Sequence, residues 1–202
     1  AQAADRLGYH RYWLAEHHAM RGLADPCPEI LLGQIGARTR HIRIGTGGVL
    51  LPYYSALKVA EVFRMLEALF PRRVDLGIGR APGGSVLTAK AMNVEAFLGE
   101  DRFPTQVQEV VGYLDDTLPP EYPYHAVKAM PAGDTSPEVW LLGSSDYSGA
   151  LSAYLGLRFA FAHFINAHGG DTVMRAYREQ FQASYRERRP HCRRHRRAGR
   201  RR

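Results

Sequence analysis

The stretch HIRIGTGGVLLPYYSALKVAEVFRMLEALFPRRVDLGIG (residues 41–79) has the pattern of a strand, a helix and a second strand. Residues 41–49 predict a strand that ends in glycines, and residues 74–79 predict the next strand. Between them, residues 56–70 predict a helix whose apolar side chains share one face. That face is formed by Val59, Val62, Phe63, Leu66 and Leu69. Because strands that alternate with helices pair in parallel through right-handed crossovers, the stretch predicts a parallel sheet.

The same alternation continues on both sides of this stretch. Upstream, a strand is predicted at residues 9–14 and a helix at residues 28–40, with a helical period through Ile30, Leu31, Gln34, Ile35 and Arg38. Downstream of a loop with a short helix, strands are predicted at 139–142 and 158–162, and helices at 105–118, 145–155 and 171–185. Five strand–helix units predict an α/β fold, either a doubly wound sheet or part of a (β/α)8 barrel.

Composition excludes several classes of protein. The chain of 202 residues is 45% hydrophobic and 23% charged, which is typical of a globular domain. Two cysteines, Cys27 and Cys192, are too few for a disulfide-rich scaffold or a four-cysteine zinc site. No apolar run reaches about 18 residues and no signal-like start is present, which predicts a cytoplasmic protein without a membrane span.

The net charge of +7 comes from the end of the chain. Residues 186–202 hold ten of the 27 basic residues and one of the 20 acidic ones, which leaves residues 1–185 with 17 basic and 19 acidic residues, a net charge of −2. Two origins of this Arg-rich tail stay open: a shifted reading frame, or a genuine basic arm that binds nucleic acid or another polyanion. We expect the tail to be disordered.

Polar and glycine-rich segments follow the predicted strands, where α/β enzymes place their ligands. Glu16-His17-His18 follows the first strand and is open to three interpretations: a metal ligand set, a hydrogen-bonded structural pair, or a base in a pocket. No HExxH spacing is present, and neighbouring residues of an extended chain point to opposite faces, so we predict no metal. The glycines at 45, 47 and 48 let the backbone approach a flat ligand, or form an ordinary turn.

Two further segments could bind an anion. Gly77-Ile78-Gly79-Arg80 suggests a dinucleotide fingerprint, but Pro82 replaces the third glycine and no suitable helix follows at once. Arg80 could grip a phosphate or be a surface charge. Ser144, Ser145 and Ser148 lie at the start of a helix, where they could bind a phosphate or cap the helix.

Four blocks in this order resemble one family: YHRYWLAEHH, IRIGTGGVLLP, LKVAEVFRMLEALFPRRVDLGIGRAPGG and VWLLGSSDYSGALSAYLGLRFAFAHFIN. They are similar to the bacterial luciferase-like, flavin-dependent monooxygenases over about residues 1–185. The resemblance implies a partial (β/α)8 TIM barrel with about five of its eight strand–helix units, the second to the sixth. The first strand is then expected upstream, and the seventh and eighth are expected where the Arg-rich tail stands.

The resemblance also implies the cofactor and the partners. Members use reduced FMN or, in some branches, a deazaflavin, with molecular oxygen and a small organic substrate such as an aldehyde. A flavin reductase and a homodimer are expected from the same resemblance. The alternatives are a catalytically inactive flavin-binding relative, a truncated fragment, or polyanion binding through the tail.

Residue roles follow from the matched motifs. His17 matches the catalytic histidine that lies over the flavin, and Gly47-Gly48 matches a non-prolyl cis peptide beside the flavin ring. Gly79 stands where luciferase carries a reactive cysteine, which excludes a thiol role. The flavin phosphate is assigned to Arg80, Ser145 and Ser148. The substrate or flavin pocket is assigned to Glu16 and His163.

Overall fold

The computed structural model describes residues 1–80, 83–93 and 101–183. The Arg-rich tail therefore lies outside the described residues, as does Pro82. The chain divides into two compact units, one of residues 1–142 and one that starts at Gly143.

The first unit is built on a parallel sheet. Its strands are β1 (Arg11–Leu14), β2 (Arg43–Thr46), β3 (Val49–Leu50), β4 (Val74–Gly79) and β5 (Glu138–Gly143), whose last residue belongs to the second unit. The order is β1-β2-β4-β5, with β3 also paired to β4. The predicted parallel pairing is confirmed. All carboxyl ends therefore lie at one edge of the sheet.

Helices connect these strands. They are α1 (Gln2–Arg6), α2 (Pro28–Ala37), a 3₁₀ helix (Leu51–Tyr53), α3 (Ala56–Leu69), α4 (Val86–Met92) and α5 (Phe103–Asp115). Local chemistry fixes their starts: Pro28 opens α2, and the side chain of Ser85 accepts a hydrogen bond from the Thr88 amide at the start of α4. The apolar core includes Ile44, Leu76 and Ile78 from the strands, and Leu32, Phe63 and Val107 from the helices.

A buried ion network crosses the sheet near the amino ends of the strands. Asp75 is fully buried and accepts hydrogen bonds from Arg11 Nε at 2.9 Å, Trp13 Nε1 at 2.9 Å and Arg43 Nε at 2.8 Å. Glu138 accepts from Arg11 Nη2 at 2.7 Å. Because opposite charges compensate each other in a low-dielectric interior, the network holds β1, β2, β4 and β5 in register.

The second unit contains α6 (Asp146–Tyr154), β6 (Arg158–Phe161) and α7 (Gly170–Gln180). α6 and α7 pack closely, since a Cβ at Gly149 would lie 2.8 Å from Val173 Cγ1. The Tyr177 hydroxyl donates to the Leu157 carbonyl at 2.9 Å, which ties α7 to the start of β6. The amide of Ala162 donates to the carbonyl of Gly143 at 2.9 Å.

The structure corrects three details of the sequence analysis. The strand predicted at 41–49 is two strands, β2 and β3, separated by Gly47 and Gly48. In α2, Ile30 and Leu31 are 66% and 41% exposed, because the buried face runs through Leu32 and Gly36. Gly36 packs directly against the Phe70 ring, which occupies the place where a side chain at residue 36 would lie. Leu69 at the end of α3 is 59% exposed.

Candidate functional site

The carboxyl edge of the first unit brings several predicted site residues to one region. β1 leads into Glu16, His17 and His18. Gly47 and Gly48 lie between β2 and β3, and Gly79 ends β4 opposite Leu50 of β3. Ser145, Ser148 and His163 belong to the second unit.

The peptide bond between Gly47 and Gly48 is cis, as the family resemblance predicted. Both residues are glycine for a local reason. A Cβ at Gly48 would lie 2.8 Å from the carbonyl oxygen of Gly77, and a Cβ at Gly47 would lie 3.2 Å from the ring of Trp13. Side chains cannot be added here without moving the backbone of β4 or the ring.

Gly79 differs from its neighbours. Among the described residues, a Cβ there would meet no atom closer than 3.9 Å, where Leu50 Cδ2 and the Val49 oxygen lie. The described neighbouring backbone therefore does not require this glycine, since a Cβ at the end of β4 would make only ordinary van der Waals contacts with it. This spacing is compatible with a flat ring lying against the strand end.

Glu16 is a buried hydrogen-bond acceptor, 4% exposed. Its Oε2 accepts from the Leu50 amide at 2.9 Å, and its Oε1 accepts from the Tyr54 hydroxyl at 2.6 Å. His18 Nε2 lies 2.6 Å from the same Oε1. Burial, and secondarily the hydrogen bond to Glu16, raise the pKa of Tyr54 above its ordinary range. The assignment of Glu16 to a ligand pocket stays a prediction.

The two histidines have different surroundings. The ring of His18 packs edge-on against Tyr53, with centroids 6.2 Å apart. The His17 amide donates to the Asp25 carbonyl at 3.2 Å, but its partly buried ring has no hydrogen-bond partner in the part of the chain that the structure describes. Across those same residues, no cluster of three metal-ligating side chains is present.

Two titratable groups beside this segment escaped the sequence analysis. Burial raises the pKa of the Asp25 carboxyl, and the nearby charge of Glu16 adds to the effect. Burial also raises the pKa of the Cys27 thiol, with Glu29 as the next cause. Both shifts act in favour of the neutral form, so Cys27 is not an activated thiolate.

Arg80 follows β4 directly. Its Nη1 donates to Asp101 Oδ2 at 3.0 Å, and both side chains are about half exposed, at 49% and 48%. The guanidinium is therefore accessible at the carboxyl edge of the sheet, although it already carries an anionic partner. A phosphate could share this guanidinium, since Arg has five N–H donors.

The second unit holds the remaining predicted residues. Ser145 precedes α6 and is exposed, and its side chain makes no capping hydrogen bond. The Tyr147 amide at this helix start donates to Asp146 Oδ1 at 2.8 Å. Ser148 Oγ lies against Gly143. His163 is exposed after β6, with its ring 6.1 Å from that of Phe161.

A cavity of about 540 Å³ lies beside the Glu16 segment in the first unit. Polar side chains, including Arg102, Gln106 and Glu109, line one part of it. Burial raises the pKa of Tyr122, so its hydroxyl stays protonated. Five tyrosines also line the cavity: Tyr53, Tyr54, Tyr113, Tyr122 and Tyr124. The sequence analysis did not predict this cavity; the three tyrosines between residues 113 and 124 are the signal that could have indicated it.

No helix among the described residues has the length and apolar character that a membrane crossing requires.

Comparison with known proteins places these features in a family. The chain is 43% identical over 183 residues to N-acetyl-S-alkylcysteine monooxygenase of Bacillus subtilis, covering 91% of this chain and 54% of that protein. It is 41% identical over 192 residues to a luciferase-like monooxygenase of Escherichia coli, covering 95% and 56%. The crystal structure of apo-MsnO8 is similar with a TM-score of 0.82 and 43% identity, covering 91% of this chain and 53% of that one.

More distant structures share the fold. One is the oxygenating constituent of 3,6-diketocamphane monooxygenase from Pseudomonas putida in complex with FMN, with a TM-score of 0.62, 20% identity and coverage of 78% and 49%. Another is an F420-dependent secondary alcohol dehydrogenase with an F420-acetone adduct, with a TM-score of 0.61, 16% identity and coverage of 88% and 57%. The fold prediction, a partial (β/α)8 barrel with five strand–helix units, is confirmed.

The chain spans about half the length of the curated relatives that it matches. The family model for luciferase-like monooxygenases matches residues 1–195, almost the whole chain. By this match, and by the arrangement at the carboxyl edge of its parallel sheet, the chain belongs to the family of luciferase-like monooxygenases.

Proposed function

We propose that this chain is the flavin-binding part of a flavin-dependent monooxygenase that uses reduced FMN and molecular oxygen on a small organic substrate. One observation carries the proposal: at the carboxyl edge of the first unit lie the cis peptide Gly47-Gly48, the strand end at Gly79, and the ring of His17, which has no hydrogen-bond partner among the described residues. Membership of the luciferase-like monooxygenase family supports it.

Gly79 and the segment Gly47-Gly48 would hold the flavin ring, since no side chain there stands between a flat ligand and the strand ends. Arg80 would contact the flavin phosphate, with a charge-assisted hydrogen bond. The assignment of Ser145 and Ser148, in the second unit, to a phosphate stays a prediction from the family resemblance. A bound reduced flavin supplies the two electrons with which oxygen is activated.

His17 is proposed as the residue that holds or moves a proton. An imidazole suits this task because its ordinary pKa lies near neutral pH. The neighbouring His18 is already engaged with Glu16, whereas the His17 ring has no hydrogen-bond partner among the described residues.

FMN is proposed ahead of a deazaflavin. The FMN complex of the diketocamphane monooxygenase and the F420 complex of the alcohol dehydrogenase show that proteins of this fold bind either group. Two relatives, 43% and 41% identical, are named monooxygenases, which favours FMN. Since the diketocamphane protein is named an oxygenating constituent, a separate flavin reductase is proposed as partner. A homodimer stays a prediction, as does nucleic-acid binding by the tail.

The test is reconstitution of the full chain with photoreduced FMN, followed by admission of oxygen in the presence of a substrate. An N-acetyl-S-alkylcysteine is the first substrate, because the 43% identical relative is named for it, and a long-chain aldehyde is the second. Oxygenated product above the level of free FMN supports the proposal. FMN binding without product from a broad substrate panel would instead favour a catalytically inactive flavin-binding relative.

His17→Ala separates the proposed proton role from binding. We expect the variant to keep FMN affinity and to lose at least about a hundredfold in turnover, which is the usual scale of general acid–base catalysis. The matched control is His41→Ala, because the His41 side chain is 86% exposed. Unchanged turnover in the His17 variant would refute the role of that residue.

A further inference from the structure

The carboxylate of Glu16 is satisfied by three donors from three places in the chain. They are the Leu50 amide of β3, the hydroxyl of Tyr54 after the 3₁₀ helix, and Nε2 of His18. The side chain of Glu16 is only 2% exposed and that of His18 is 11% exposed. A buried carboxylate with three short contacts is held firmly, because leaving any of these polar groups unpaired in the interior is costly.

The donors around Glu16 determine which ring nitrogen of His18 carries a hydrogen toward the carboxylate. The Leu50 amide can only donate, and Tyr54 keeps its proton because burial and Glu16 raise its pKa. An ionised carboxylate offers only acceptors. Nε2 of His18 must therefore donate to Oε1, and in the neutral ring Nδ1 is then the acceptor. Nδ1 of His18 has no partner within the described residues, so its lone pair is available.

The same carboxylate lies where three loops meet. Glu16 and His17 belong to the loop after β1, and Leu50 ends β3, the short strand that follows Gly47-Gly48. The loop after β4 joins them through Gly83: the His18 amide donates to the Gly83 carbonyl at 3.1 Å, and a Cβ at Gly83 would lie 3.1 Å from the Glu16 carbonyl oxygen. Each loop carries or adjoins a residue proposed to contact the flavin.

We infer that Glu16 is a positioning residue: its carboxylate fixes His18 as the Nε2–H tautomer and joins the loop after β1 to β3 and to Tyr54 at the flavin-binding edge. The inference rests on the proposed function for its effect on flavin, and on hydrogen-bond geometry alone for the tautomer. Glu16 itself needs no contact with the flavin in this account.

Glu16→Gln is the test variant, since it keeps size and shape but replaces one acceptor oxygen with an NH₂ group. At least one of the three donors then loses its acceptor. The first readout is the His18 tautomer in long-range proton–nitrogen NMR spectra of the full chain. The second is FMN affinity from quenching of FMN fluorescence. Glu121→Gln is the matched control, because Glu121 is exposed on the surface.

We expect the wild-type chain to show His18 as the Nε2–H tautomer. Glu16→Gln should change that signature and weaken FMN binding about tenfold, equivalent to about 1.4 kcal/mol. Tyr54→Phe removes one donor and leaves the carboxylate, so it should keep the His18 tautomer and retain most of the FMN affinity that Glu16→Gln loses. Glu121→Gln should match the wild type in both readouts.

Two results would overturn the inference: an Nδ1–H tautomer of His18 in the wild-type chain, which needs no variant, or equal FMN affinity for the wild type and Glu16→Gln. Failure of the proposed function looks different. A wild-type chain that binds no FMN but shows the Nε2–H tautomer, lost in Glu16→Gln, would sink the flavin site and confirm the hydrogen-bond assignment.

Discussion

Replacing Asp75 with Asn tests whether the buried ion network holds the sheet that presents the site. Asp75 is fully buried between Arg11 and Arg43, and it also accepts the indole N–H of Trp13. Asparagine keeps the shape and one acceptor oxygen, but it removes the negative charge. The two guanidinium groups then face each other with Glu138 as the remaining anion.

The magnitude follows from burial. Breaking a buried ion pair by removing one partner costs about 3–5 kcal/mol, because an uncompensated charge stays in the interior. The side chain of Arg43 is 10% exposed and that of Arg11 is 25% exposed, so most of the penalty falls on Arg43. Glu138 still contacts both arginines, which places the expected loss near the lower end, about 3 kcal/mol. The free energy of unfolding of a typical domain is only about 5–15 kcal/mol, so this loss is a large share of it.

Urea unfolding followed by tryptophan fluorescence measures this loss directly. The chain has two tryptophans, Trp13 and Trp140, and their rings lie 5.3 Å apart within the network. The control is Asp116→Asn, which breaks an exposed ion pair with Lys128 and should cost less than about 1 kcal/mol. If Asp75→Asn also lost less than about 1 kcal/mol, the claim that this network organises the sheet would be refuted.

Three further predictions concern the site and the pH dependence. Gly79→Val should leave the free energy of unfolding within about 1 kcal/mol of the wild type and weaken FMN binding at least about tenfold. The control is Gly133→Val, where a Cβ would meet no described atom within 4 Å, and it should leave FMN affinity unchanged in the same titration. Arg80→Ala should weaken FMN about tenfold by loss of a charge-assisted hydrogen bond, while riboflavin, which lacks the phosphate, should bind both proteins equally. Burial raises the pKa of Glu67, so the folded state holds a proton that the unfolded state releases, and wild-type stability should fall as pH rises above about 4.5. Glu67→Gln should be more stable than the wild type at neutral pH in urea unfolding, with the difference vanishing below that pH; a constant difference would contradict the assignment.

Sequence reasoning identified the elements that depend on local pattern. The helix and strands of residues 41–79 follow from periodicity, and Val74–Gly79 was predicted with its observed bounds. The cis peptide at Gly47-Gly48 came from the family resemblance and not from periodicity. This peptide separates β2 from β3 within the predicted strand. The sequence did not reveal the separation, because two glycines at a strand end resemble an ordinary turn.

Features that depend on tertiary contact escaped the sequence analysis. The partners of Asp75 are separated by 32 to 64 residues, so no local window contains the network. Tyr54 was not singled out, because its role depends on Glu16, which lies 38 residues away. The buried face of α2 was misjudged because Ile30 and Leu31 are apolar, while Gly36 faces the interior without an apolar side chain to reveal it.

Binding of reduced FMN by the full wild-type chain is the measurement that tests the central claim most directly. Anaerobic titration with photoreduced FMN, repeated with riboflavin and with the Gly79→Val variant, would locate the site. The account predicts saturable binding of one FMN per chain, weaker binding of riboflavin, and loss of affinity in the variant. A folded chain that binds no reduced FMN, or binds it equally well with valine at residue 79, would contradict the account.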